Sequence, residues 1–183
     1  FINIDTKSIV GRGYSKFFNY GETPKSHPDN FSDLNYPVKA YIKRNGYLGI
    51  LFVKDGEFVF NTKAGDLTDL ATRFKDIFLT KLTEEDQFKL KAFLEINNLT
   101  ATFEVKIPDR ENLTYFGEED KLHFLDFIHN QVRFKLVDSK MKSKGLTSFS
   151  IESDIEPYDG VYKKLYSEKE LLDFLKSEEG TLL

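Results

Sequence analysis

Apolar and polar positions along this chain repeat with two different periods. Alternation or short apolar runs mark Phe1 to Ile4, Val38 to Ile42, Tyr47 to Val53 and Glu57 to Thr62, and Lys54-Asp55-Gly56 reads as the hairpin turn between the last two. These segments predict neighbouring antiparallel strands. From Asp66, read as an N-cap, the period becomes helical: Leu67, Leu70, Ala71, Phe74, Ile77 and Phe78 fall on one face. A second helix is expected to begin near Thr83, with Asp86 three positions on, and to end near Asn97-Asn98. Strands resume at Thr100 to Ile107, Leu113 to Phe116, Leu122 to Ile128, Phe134 to Val137 and Ser148 to Ile151, and a short helix, Glu168 to Lys176, leads into a final strand. Residues Thr23 to Pro37, with three of the five prolines, read as the longest irregular loop. The pattern is α+β: antiparallel sheets flanked by helices.

Composition narrows the class. With 183 residues, 40% of the chain hydrophobic and 15% of the chain aromatic, it can bury one sizeable core, and a single domain is expected. The absence of cysteine excludes disulfide staples, thiolate catalysis and Cys-containing zinc sites. No run reaches the roughly 18 apolar residues of a membrane span, and no signal-peptide layout opens the chain, so a soluble, cytoplasmic protein is expected. A net charge of −4 weighs mildly against nucleic-acid binding, although the distribution of charge counts for more than its sum. Lys135, Lys140, Lys142 and Lys144 form a basic run that is either a solvated loop or a surface for a phosphate backbone. His27, His123 and His129 lack ligand-like spacing, and an Asp126–His129 pair has no serine elbow or cysteine to serve.

Candidate chemistry centres on Lys43, in the run Tyr41-Ile42-Lys43-Arg44-Asn45-Gly46-Tyr47. It ends an apolar strand just before a polar turn, where its amine points into a site. The Lys-x-Asn-Gly spelling resembles the Lys-x-Asp/Asn-Gly nucleophile motif of covalent nucleotidyltransferases. Upstream, Arg12-Gly13-Tyr14-Ser15-Lys16-Phe17-Phe18-Asn19 is similar to the Lys-Phe-Phe-Asn segment of bacteriophage RNA ligases and fungal tRNA ligases, with 27 residues from Lys16 to Lys43. Adjacent residues of a strand face opposite sides, so a Phe17-Phe18 pair leaves one ring exposed for a ligand. Three further segments follow in that family's order. Thr62-Lys63 stands where the family has a Ser-Lys strand end, Phe103-Glu104 resembles its Phe-Glu strand, and Glu179-Gly180 its Glu-Gly strand. Glu179 is preferred to Glu178 because it directly precedes Gly180.

The resemblance implies a DNA/RNA ligase-type nucleotidyltransferase core, unrelated to ATP-grasp, that uses ATP and Mg²⁺ to join RNA 5′-phosphate and 3′-hydroxyl ends. It implies Lys43 as nucleophile, Arg12, Lys16, Phe18, Asn45, Gly46, Lys63, Glu104 and Glu179 as the nucleotide site, and Glu104 and Glu179 as metal ligands. The partner would be single-stranded RNA or nicked tRNA-like ends. The family's preceding Arg-Gly element and following Lys-x-Lys strand are not in this sequence, so one adenylyltransferase domain over 1–183, cut short at both ends, is expected. The residue types support the same chemistry: a lysine of reference pKa about 10.4 must lose its proton to attack phosphorus, which neighbouring cations such as Arg44, Arg12, Lys16 and Lys63 would promote. A DNA ligase or capping enzyme is weighed against by Leu48, where those enzymes more often carry arginine. The remaining rival is a noncatalytic nucleotide- or RNA-binding module on a degenerate ligase fold.

Overall fold

The computed structural model describes residues 1–41, 46–108, 119–148, 155–157 and 161–177. In chain order its strands and helices are β1 (Ile2–Asn3), β2 (Ser8–Ile9), β3 (Val38–Tyr41), β4 (Tyr47–Lys54), β5 (Glu57–Thr62), α1 (Asp69–Lys81) and α2 (Glu84–Ile96). There follow β6 (Leu99–Lys106), β7 (Lys121–His129), α3 (Ser139–Ser148), β8 (Ile155–Pro157), β9 (Val161–Leu165) and α4 (Glu168–Lys176). They form two compact units, Phe1–Tyr14 with Asn45–Tyr158, and Ser15–Arg44 with Asp159–Leu183.

The first unit is built on a sheet ordered β5-β4-β6-β7-β8, antiparallel except for the β7–β8 pair. The β4–β5 hairpin closes on Asp55-Gly56, both at positive φ (53° and 75°), the geometry an Asp-Gly turn adopts readily. One face of the sheet is apolar. Phe60, Phe103, Phe124 and Phe127 present rings to Phe74 and Phe78 of α1 and Phe93 of α2, with neighbouring centroids 4.7 to 6.3 Å apart. Gly49 is required beneath α1, because a Cβ there would lie 2.9 Å from both Phe74 and Val105. Phe124 and Phe127, three residues apart, would face opposite sides of a regular strand. A register shift between Thr102 and Phe103 places the extra residue, Leu125, between them, and both rings reach the core.

Local capping explains the helix starts. Thr83 caps α2, accepting from the Asp86 amide (3.1 Å) while its hydroxyl donates to the Asp86 carboxylate (2.7 Å). Helix α1 begins later than expected. Thr62 and Gly65 form a bridged turn after β5, and Thr68, rather than Asp66, accepts from the Ala71 amide at 3.1 Å. Leu67 therefore precedes the helix and is 97% exposed.

In the second unit β3 pairs antiparallel with β9, and α4 starts on Ser167, whose hydroxyl accepts from the Glu170 amide. Among the described residues of this unit, Leu165, Phe174 and Phe31 are buried. The Thr23 to Pro37 stretch contains two 3-10 turns, Pro24–Ser26 and Pro28–Asp33.

Several expected strands differ. β3 does not neighbour β4, and Phe1 to Ile4 reduces to two residues paired with Ser8–Ile9. Phe134 to Val137 contributes only the bridge Ile128↔Leu136, and Ser148 ends α3 instead of starting a strand. The Leu113 to Phe116 and final strands lie outside the described residues.

Candidate active site

The second face of the five-stranded sheet is polar. Along β6, Thr100, Thr102 and Glu104 alternate with the core residues Ala101, Phe103 and Val105, so all three point away from α1 and α2. Cross-strand pairing extends this face into rows: Asn61, Ile50, Thr102 and Asp126 in one, Leu48, Glu104 and His123 in the next. The segment Phe1–Tyr14 runs across it. Phe1 stacks on Phe52 at 5.0 Å, and the main-chain amide of Arg12 donates to Thr100 Oγ1 at 3.1 Å.

Gly46 stands against Glu104 at one end of this face. A Cβ on Gly46 would lie 2.5 Å from the Val105 carbonyl oxygen and 3.1 Å from Glu104 Cγ, so only glycine lets the chain pass so close to the β6 backbone beside half-buried Glu104. Two motif residues 58 positions apart are thus brought together. Lys63 is exposed in the turn one residue beyond the Gly49↔Thr62 pair, two strands from Glu104, or about 10 Å at ordinary strand spacing. Arg12 is held farther off, beside Thr100, about 13 Å along β6 from the level of Glu104. Its Nη1 donates to the carbonyls of Gln131 (2.6 Å) and Val132 (3.1 Å), and its guanidinium lies 5.1 Å from the Phe134 ring centre.

Lys16 and Phe18 belong to the second unit. They are not on a strand; Phe17 and Phe18 are both exposed, and Lys16 Nζ sits 4.9 Å over the Phe18 ring. Lys43, Asn45 and Glu179 lie outside the described residues.

Between Glu104 and Thr100 the polar face carries a network that sequence reasoning did not assemble. Tyr14 donates its hydroxyl to Asp126 Oδ2 at 2.8 Å, and Lys142 Nζ from α3 donates to Asp126 Oδ1 at 2.7 Å and to the Leu125 carbonyl at 2.6 Å. That carbonyl belongs to the extra residue of the β7 bulge. Thr102 Oγ1 donates to the Asp126 carbonyl (3.0 Å) and lies 3.4 Å from the Tyr14 hydroxyl. Burial first, then the Asp126 carboxylate and more weakly Glu104, push the Tyr14 phenol far above its ordinary pKa. It remains a neutral donor at any working pH. The available signals were Tyr14 inside the aromatic-cation run and Asp126 interrupting an apolar strand.

The structure thus defines an α+β protein whose main sheet buries one face under helices and keeps a carboxylate-bearing polar face on the other. Residues 1–177 match the family described as RNA ligase, and the chain belongs to that family. No curated protein matches it. Among the described residues no helix is long and apolar enough to cross a membrane.

Proposed function

We propose that the protein is an ATP-dependent RNA ligase that acts through a lysyl-adenylate on Lys43. The observation that carries this reading is the approach of Gly46, three residues after Lys43, to Glu104 on the polar face, within a chain of the RNA ligase family. The deprotonated Lys43 amine attacks the α-phosphorus of ATP; a P–N bond forms, the P–O bond to pyrophosphate breaks, and the amine gives up its proton. The AMP then passes to an RNA 5′-phosphate, breaking P–N and freeing Lys43. A 3′-hydroxyl attacks that phosphate, AMP leaves, and the RNA ends are joined.

Glu104 is assigned to the ribose and Lys63 to the phosphates, which its exposed ammonium can reach as a mobile point charge. Asn45 and Gly46 shape the turn after the nucleophile. Phe18 offers a ring for adenine stacking with Lys16 beside it, and Arg12 holds the 131–132 carbonyls while adding positive charge to the face. Carboxylate oxygens are the donors Mg²⁺ prefers, so Glu104, half-buried on the polar face, would serve as one ligand and Glu179 as the second. The metal, when bound, neutralises charge on the transferring phosphoryl oxygens.

The test is ligation of a 5′-phosphorylated RNA to a 3′-hydroxyl RNA with ATP and Mg²⁺. Joined product that disappears on removing ATP supports the reading. ATP binding with no joining and no covalent adenylate at any RNA or metal concentration would leave a noncatalytic nucleotide-binding module.

A further inference from the structure

We infer that residues 131–144 form a surface that grips the phosphate backbone of single-stranded RNA, an inference that rests on the ligase function proposed above. Residues 131–148 contain five Lys and Arg and one Asp, a local charge of +4 in a chain whose net charge is −4. The positive charge is therefore concentrated against the trend of the whole molecule, as an electrostatic footprint for a polyanion requires.

Three of these cations, Arg133, Lys135 and Lys140, are exposed and make no ion pair among the described residues. The backbone beneath them is fixed. The His129 amide donates to the Lys135 carbonyl (3.0 Å), the Val137 amide to the Phe127 carbonyl (3.1 Å), and Arg12 holds the carbonyls of Gln131 and Val132. Cations on an already ordered segment lose less freedom when they meet a ligand.

Helix α3 continues the surface. Its inner side is set by Met141 and Gly145, where a Cβ on Gly145 would come within 2.8 Å of Phe93. At 100° per residue Lys142 lies on one flank and Lys140 and Lys144 on the other. Lys142 ties the helix to Asp126, so the surface adjoins the polar face that carries Glu104. The apolar residues Met141 and Leu146 pack against the core, which leaves α3 no apolar side to sink into a lipid interface. A flexible polyanion bound through its phosphates fits these observations better than a membrane.

The test compares the parent protein with the triple variant Arg133→Gln/Lys135→Gln/Lys140→Gln. A control triple, Lys54→Gln/Lys75→Gln/Lys121→Gln, removes the same charge from exposed positions elsewhere in this unit. Binding of a 5′-phosphorylated single-stranded RNA is followed by fluorescence anisotropy over a salt series, and adenylation is followed separately with labelled ATP. Loss of three phosphate contacts should make the slope of log K against log salt shallower by about two and weaken binding on the order of hundredfold at about 0.1 M salt. The control should retain the parent slope, and adenylation should persist in all three proteins. An unchanged slope in the first triple, an equal loss in both triples, or a loss confined to binding of phosphatidylserine vesicles would each overturn the inference. Absence of adenylation in the parent would sink the ligase reading instead, with the RNA slopes still deciding for or against this surface. Should the triple variant not fold, each single change is read for a slope decrease of about 0.7.

Discussion

Replacing Tyr14 by Phe keeps the ring and removes one hydroxyl, which isolates the bond from Tyr14 to Asp126. That bond is 2.8 Å long and ends on a carboxylate whose other oxygen is held by Lys142. A hydrogen bond to a charged group contributes about 1.5–3 kcal/mol, and the Asp126 side chain is a quarter exposed, so a loss of about 1.5–2 kcal/mol is expected near neutral pH. In a chain of this length that corresponds to a drop in Tm of about 3–8 °C. The alkaline limb adds a second signature. Folded Tyr14 keeps its proton well above the ordinary tyrosine value of about 10, whereas the unfolded chain releases it there. Above that pH the unfolded state binds fewer protons, so the stability conferred by this position is fully present below about 10 and falls thereafter by up to about 1.4 kcal/mol per pH unit. Tyr14→Phe lacks this contribution to the slope. The gap between the two proteins should narrow from pH 10 and close about 1 to 1.5 units higher. Urea unfolding followed by far-ultraviolet circular dichroism at a series of pH values measures both. A gap of constant size from pH 8 to 11 would refute the reasoning.

Gly46→Ala should cost about 1–3 kcal/mol through the contact with the Val105 carbonyl and reduce adenylation more than fold, measured as covalent label per folded molecule; full labelling would contradict the assigned approach. Glu104→Ala should weaken ATP binding in a calorimetric titration, while Glu179→Ala should slow AMP transfer more than binding; equal effects on binding would undo the division of roles. Thr68→Ala should destabilise by about 1 kcal/mol in thermal unfolding and Asp66→Ala by much less, and the reverse order would mean the α1 cap is misassigned.

Local pattern carried much of the fold. Glu57–Thr62 and Glu168–Lys176 have the boundaries their periodicity predicts, and the Asp55-Gly56 turn and Thr83 cap follow from residue chemistry that acts over a few positions. What failed depended on distant partners. Nothing near Val38 to Tyr41 reveals that its ladder partner is Val161–Leu165 rather than β4. The two apolar faces of Phe124 and Phe127 conceal a bulge, because a period-two reading cannot hold both rings in one core. Asp66 and Thr68 are both good caps in isolation, and the bridged Thr62-Gly65 turn decides between them. The site shows the same division. Gly46 and Glu104 were legible as motif residues and are neighbours in space, whereas Tyr14, Asp126 and Lys142 join only through contacts 112 and 16 residues apart. Within the basic run, Lys142 is drawn onto Asp126 while Lys135 and Lys140 remain at the surface.

The central claim is that Lys43 takes AMP from ATP. Incubation of the protein with α-labelled ATP and Mg²⁺, followed by denaturing electrophoresis, tests it directly. The account predicts a labelled band that acid removes, and that is lost in both Lys43→Ala and Lys43→Arg, because a guanidinium stays protonated and cannot attack phosphorus. A label that persists in either variant would contradict it.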